Sequence, residues 1–279
     1  MFYARHNNPL KLEKLFKVIS DILTDVNFII SKKGISLKGM CSSHTSLLFC
    51  NIDINEFDEY NYKNTCEIEI GINLKSFYKL LSISENNDSL LFELKDNSEN
   101  LKLIFDNKSR TTEFNLNLLN INTHDIQMLN IKYDICIDIN LKRLNKLCQE
   151  ISIVESDNLE FQINNDTKSI YIFSNGNIGS TKTTLKSKHT ENPKLNFKIN
   201  KINDEIITKK IENKADYIIN DFNTQFKISF CIKNLEKIIK LCSIVSRVEI
   251  NLNDKSPLKL KFSIKNNINL DYYIAPKYE

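Results

Sequence analysis

The stretch 68–94 occurs twice in this chain, and that repetition limits its fold more than any other feature. Apolar residues alternate at Ile68, Ile70 and Ile72, the spacing of a half-buried strand. They then take helical spacing at Leu74, Phe77, Leu80 and Leu81, pass the turn residues Asn86, Asn87 and Asp88, and alternate again at Leu90, Phe92 and Leu94. From Phe226 onward the pattern returns without a gap. Phe226, Ile228 and Phe230 restate the first strand, Ile232, Leu235, Ile238 and Ile239 the helix, and Val248, Ile250 and Leu252 the second strand. Lys75 and Lys79 recur as Lys233 and Lys237. A strand–helix–strand unit used twice, with its basic positions in step, predicts an internally duplicated architecture.

The segments ahead of each unit match as well. Asn8 and Pro9 open a helix whose apolar face is Leu12, Leu15, Phe16, Ile19, Ile22 and Leu23, and Leu141, Leu144, Leu147, Cys148 and Ile151 repeat it at a constant offset. Strand patterns run over 2–5, 26–31, 34–40, 45–52, 101–105 and 112–118 in the first half. In the second they run over 133–139, 159–163, 169–173, 179–185, 258–264 and 270–275, with a further candidate at 195–199 in a charged, Asn-rich segment. The stretch 55–64 reads as a polar connection. The resulting expectation is an α+β chain of two similar domains, 1–118 and 133–279, joined by a connector at 119–132. Each domain would pack two short helices on antiparallel sheets.

Charge totals decide little, since 38 Lys and Arg stand against 35 Asp and Glu. Their distribution is more informative. The polar faces of the four helical segments carry Lys11, Lys14 and Lys17; Lys75 and Lys79; Lys142, Arg143 and Lys146; and Lys233, Lys237 and Lys240. The acids there are only Glu13, Asp21, Glu150 and Glu236. One such helix is ordinary, because lysine is a good helix former on solvated faces. Four turned the same way would form a positive surface suited to phosphate backbones. No helix-turn-helix or zinc-finger pattern accompanies them, so the contact would hold DNA without reading its sequence.

Other classes of function find no support. The opening MFYARHNNPL has no apolar run of a secretory signal, and no stretch is long enough to span a bilayer. The seven cysteines are Cys41, Cys50, Cys66, Cys136, Cys148, Cys231 and Cys242, odd in number and without close pairs; they read as reduced core thiols of an intracellular protein. Cys41 and His44 have the spacing of half a zinc site with no second pair to complete it. Gly176–Lys182 lacks the order of a phosphate loop and reads as a tight turn. With no nucleophile elbow, zinc-protease or kinase signature, the expectation is no enzyme, no metal and no cofactor.

Several stretches resemble the proliferating cell nuclear antigen family of DNA sliding clamps. These are MFYAR at the start, GISLKGMCSSHTSLL at 34–48, GINLKSFYKLL at 71–81, and SPLKLKF with DYYIAPK within 256–277. The resemblance implies a ring of three subunits with helices lining a hole and strands outside. Lys14, Lys79, Lys146, Lys233 and Lys240 fall on basic positions of that inner surface; Glu13, Ser20, Ser82 and Gln149 depart from it, and Lys17, Lys75 and Lys237 compensate. With Arg143 these are the expected DNA contacts. Ring closure would pair strand 111–117 of one subunit with 179–185 of the next, anchored by Phe114, Leu116 and Ile178.

The resemblance also implies a pocket for client peptides bearing a glutamine and paired aromatics. Its lining would be Met40, His44, Leu47, Ile126, Met128, Leu129, Pro257, Tyr273, Ala275 and Pro276. Met128 and Leu129 stand in place of a usual Ile-Pro, and Cys41 in place of a usual aspartate. The lysine used for ubiquitin signalling has no counterpart, Asn165 and Asp166 standing there. The implied partners are double-stranded DNA, a DNA polymerase, other replication and repair proteins and a clamp loader, in the nucleus or, for a viral member, at a cytoplasmic replication site. Two alternatives share the fold: a subunit of a heterotrimeric specialised or checkpoint clamp, and a non-ring viral replication or transcription scaffold.

Overall fold

The computed structural model of the chain describes residues 1–122, 126, 131–186, 217–219 and 222–277. The first half contains β1 (Phe2–His6), α1 (Pro9–Ser20), β2 (Asp25–Ser31), β3 (Gly34–Met40), β4 (Ser46–Asp53), β5 (Glu59–Tyr62), β6 (Ile68–Asn73), α2 (Leu74–Leu81), β7 (Ser89–Leu94), β8 (Asn100–Asp106) and β9 (Thr111–Asn117). The second contains β10 (Ile135–Asn140), α3 (Leu141–Ser152), β11 (Asn158–Asn164), β12 (Ser169–Asn175), β13 (Ser180–Lys186), β14 (Tyr217–Ile219), β15 (Phe226–Cys231), α4 (Ile232–Ile238), β16 (Arg247–Leu252), β17 (Leu258–Ile264), β18 (Ile268–Ile274) and β19 (Pro276–Lys277).

Three antiparallel sheets result. Five strands lie in the order β5-β1-β7-β8-β9 and five more in the order β13-β12-β11-β15-β19. Nine strands make the third sheet, in the order β14-β10-β16-β17-β18-β4-β3-β2-β6. The joint of this large sheet is β18 against β4, with Ile268 opposite Ile52 and Ile274 opposite Ser46, so the two halves of the chain share one sheet. Each helix connects a strand of one sheet to a strand of another: β6 and β7 flank α2, and β15 and β16 flank α4. The twofold unit read in the sequence is therefore a crossover that clamps a helix under two sheets.

The helices form where the pattern requires. Pro9 takes the first turn of α1, where it gives up no hydrogen bond. The Asn73 side chain accepts the backbone N–H of Ser76 at 2.9 Å, and Asn140 accepts that of Lys142 at 2.9 Å, so an asparagine caps α2 and α3. Beneath the sheets of the first half Phe16, Phe28 and Phe77 meet edge to face or tilted, with ring centroids 4.8–5.6 Å apart. Burying each such ring stabilises the fold by about 2 kcal/mol or more.

Some expectations need correction. The stretch 55–64 is more than a connection: a 3-10 turn (Ile54–Glu56) and the edge strand β5 occupy it. Alternation failed to show them because β5 has only half-buried and exposed residues. The last helix ends at Ile238 and continues as a 3-10 segment, Ile239–Ser243. The strand candidate at 195–199 lies outside the described residues. The chain leaves β9 by a single bridge, Leu119 to Gly71, where a Cβ on Gly71 would stand 2.1 Å from the Leu119 carbonyl oxygen. Glycine is needed there for the close approach.

Candidate nucleic-acid and partner interfaces

The four helices make one layer. α1 lies against α2 and α3 against α4, while α1 also touches α4 and its 3-10 extension across the junction between halves. Because their apolar faces are buried against the sheets, their polar faces are left on the side away from them. Lys14, Lys17, Lys75, Lys79 and Lys146 are exposed and Lys237 is partly so; none has an acidic partner among the described residues. The other three expected contacts are held. Lys233 Nζ is 2.8 Å from Asp157, Lys240 Nζ is 2.7 Å from Asp21, and Arg143 is 3.7 Å from Glu150. Such exposed pairs are weak and exchange readily for other anions. Lys11 leaves this surface altogether: its side chain is 12% exposed and its Nζ bonds both oxygens of buried Glu56 at 2.6 and 2.7 Å.

The expected peptide site gathers at the joint between halves. Met40, Leu47 and Tyr273 lie in register across β3, β4 and β18. Met40 is 43% exposed, whereas Leu47 and Tyr273 are buried. His44 sits on the β3–β4 turn with positive φ, its Nδ1 3.0 Å from the Met40 sulfur. The Ala275 N–H donates to the Thr45 carbonyl at 2.9 Å, which ties the C-terminal segment to that turn. Pro257 precedes the β17 residue opposite Ile274, and its carbonyl accepts the Tyr133 hydroxyl at 3.1 Å. Pro276 pairs with Phe230 in β19. Ile126 is tied in through its carbonyl, which accepts Lys38 Nζ at 3.1 Å. Met128 and Leu129 lie outside the described residues.

The sequence missed part of this floor. Lys259 lies over the Tyr273 ring at 5.3 Å and pairs with Asp271 at 2.8 Å, and Phe49 meets Tyr273 edge-on at 5.9 Å. Burial lowers the Lys259 ammonium's pKa, but hydrogen bonds to Asp271 and Tyr273 outweigh it and raise the value. The signal was present in strand alternation, since Phe49 and Lys259 flank Leu47 and Tyr273 in the ladders.

The edges of the two small sheets differ from expectation in one residue. Among the described residues β9 and β13 each have a strand partner on one side only. Ile178, in the turn before β13, is 68% exposed, and Phe114 is half-buried against Phe105. Leu116 is 8% exposed and belongs to the core of its own domain, so it offers that edge only its backbone. The sequence missed Ile153, which is 70% exposed just past α3; the Ile178 N–H reaches the neighbouring Val154 carbonyl at 3.4 Å, so the two isoleucines share one patch.

Comparison with known proteins decides the family. Residues 1–127 match the sequence model of the proliferating cell nuclear antigen N-terminal domain, and residues 200–277 that of its C-terminal domain. The chain belongs to the proliferating cell nuclear antigen family. Among its relatives is the proliferating cell nuclear antigen of Caenorhabditis elegans, 25% identical over 284 residues, covering 100% of this chain and 98% of that protein. That of Chaetomium thermophilum is 25% identical over 279 residues, covering 99% and 98%. The crystal structure of the Entamoeba histolytica protein superposes with a TM-score of 0.81 at 21% identity, over 99% of both chains, and shows the shared fold. This proliferating cell nuclear antigen homologue is thus an α+β DNA sliding clamp, a processivity factor of DNA replication.

Proposed function

We propose that three copies of this chain close into a ring that encircles duplex DNA and tethers a polymerase and other replication and repair proteins to it. The observation that carries this reading is the single helical layer with six exposed or part-exposed lysines that have no acidic partner among the described residues. Phosphate contacts of that kind are individually weak and exchangeable, which lets a closed ring slide while topology prevents escape. A client bound to the ring stays near its template through effective concentration. The DNA-facing residues are Lys14, Lys17, Lys75, Lys79, Lys146 and Lys237, with Arg143, Lys233 and Lys240 joining as they exchange Glu150, Asp157 and Asp21 for phosphate.

Ring closure would add β13 of one subunit to the free edge of β9 in the next, extending two five-stranded sheets into one. Ile178 and Ile153 supply the apolar contact, with Phe114 beside them. Clients would dock a short peptide on Met40, His44, Leu47, Ile126, Met128, Leu129, Pro257, Tyr273, Ala275 and Pro276. We assign domain boundaries at 1–118 and 133–279 about the connector 119–132, a non-enzymatic role without cofactor, dependence on a clamp loader, and a place in the nucleus, or at a cytoplasmic replication site in a viral setting. Retention on closed circular DNA, with release once the circle is linearised, tests the reading. Equal retention on both, or a monomer by light scattering at high concentration, would favour the non-ring scaffold or the heterotrimeric clamp.

A further inference from the structure

The turn between β3 and β4 holds a buried polar cluster that neither DNA nor ring closure uses. Cys41 is 5% exposed, and its sulfur accepts the Ser46 backbone N–H at 3.2 Å. The hydroxyls of Ser43 and Thr45 lie 3.2 and 3.6 Å from the same sulfur. Burial alone pushes this thiol up, but hydrogen bonds from Ser43, Ser46 and Thr45 outweigh it and bring its pKa down to about 6. Cys50 and Cys148 are buried with no such donors among the described residues, and burial pushes each up to about 12.

A second observation is independent of the cysteine. The hydroxyls of Ser46 and Tyr272 are buried and have no hydrogen-bond partner among the described residues. Ser46 is 4% exposed and Tyr272 fully buried; Ser46 bonds Cys41 across the turn through its N–H and carbonyl, and Tyr272 stands diagonal to it on β18, opposite Leu48. A buried hydroxyl left unpaired costs about 1–3 kcal/mol. Two of them beside one stabilised thiolate mark a place where an added oxygen would find donors.

We propose that Cys41 is an oxidation site at which hydrogen peroxide forms a sulfenic acid whose oxygen accepts hydrogen bonds from Ser46 and Tyr272, and that this modification loosens the grip on client peptides. The thiolate sulfur attacks one peroxide oxygen, the O–O bond breaks as the S–O bond forms, the sulfur gives up two electrons, and hydroxide leaves. Residues 42–45 beside the sulfur are exposed, so a water-sized oxidant has a short path. The same turn carries His44 and is flanked by Met40 of β3 and Leu47 of β4, and it is closed by the Cys41 N–H to the Ser46 carbonyl at 2.9 Å. An oxygen inserted there has to displace groups that position those side chains. The effect on clients rests on the peptide site proposed above.

The test has two arms. In the first, full-length protein is treated with hydrogen peroxide, trapped with dimedone and mapped by mass spectrometry, the other six cysteines serving as internal controls. Cys41 is expected to label at least tenfold faster than Cys50, Cys148 or exposed Cys66, and Ser46→Ala and Tyr272→Phe each to shorten the sulfenate lifetime severalfold. Labelling of Cys41 no faster than Cys66 overturns the oxidation site. In the second arm a peptide with a glutamine and paired aromatics is titrated before and after peroxide. Its affinity is expected to fall severalfold, to recover with dithiothreitol, and to be insensitive to peroxide in Cys41→Asp. Binding that peroxide leaves unchanged overturns the regulation while the peptide site stands. No binding to the reduced protein overturns the peptide site and the regulation together, whatever the first arm gives.

Discussion

Glu56 shows how much one buried side chain can hold. It is 6% exposed, bonds Lys11 of α1 through both oxygens, and accepts His6 Nε2 at 2.9 Å, while His6 Nδ1 accepts the Asn8 N–H at 3.0 Å. The turn, β1 and the start of α1 are thereby fixed to one carboxylate. Burial raises its pKa, but hydrogen bonds from His6 and Lys11 and the Lys11 charge outweigh this and hold it below the usual range. A depressed folded value stabilises fully above the unfolded glutamate pKa of about 4.3 and is lost as pH falls through the folded value. Glu56→Gln is expected to cost about 3 kcal/mol at neutral pH in urea denaturation, because it leaves Lys11 buried and unpaired. Between pH 5 and pH 3 (roughly the glutamate range) the variant should lose less stability than the parent; an equal loss would count against the assignment. Lys11 also shows where side-chain reading stops, since spacing puts it on a polar face and only the fold supplies Glu56 from 45 residues away.

Among the elements, the two small sheets make the sharpest prediction. β9 alternates exposed and inward residues, and on its inward face Leu116 is buried in the core while Phe114 stays half-buried toward the edge. Ile178 was expected at the seam and is 68% exposed, whereas Ile153 escaped notice because it stands in a turn just past α3 and belongs to no periodic run. Replacing both with aspartate should leave the circular dichroism of the chain unchanged and shift it to monomer in light scattering. A complex that stays the same size would exclude this patch from the seam. The helices behave as their pattern says: Phe77 is fully buried between Phe16, Phe28 and Phe92, so Phe77→Ala should cost about 3–5 kcal/mol in the same urea measurement.

At the scale of the whole molecule the charges act together. Lys79→Glu with Lys237→Glu should shorten retention on closed circles at least tenfold with assembly intact, and the loss should shrink as salt rises, because counterion release is the driving term. Asp21→Ala frees Lys240 and should lengthen retention at low salt; no change there would mean that Lys240 does not face the duplex. Local pattern by itself determined the duplicated crossover, the four apolar helix faces and most strand spans, because burial of one face imposes periods of 2 and 3.6 on the sequence. Resemblance in a few short stretches pointed to the clamp family. Tertiary structure alone decided the antiparallel joint of β18 with β4, the placing of Met40, Leu47 and Tyr273 side by side, and which cations are neutralised. Those depend on residues far apart in the chain meeting at a few ångströms, and a one-dimensional period carries no information about partners at that range.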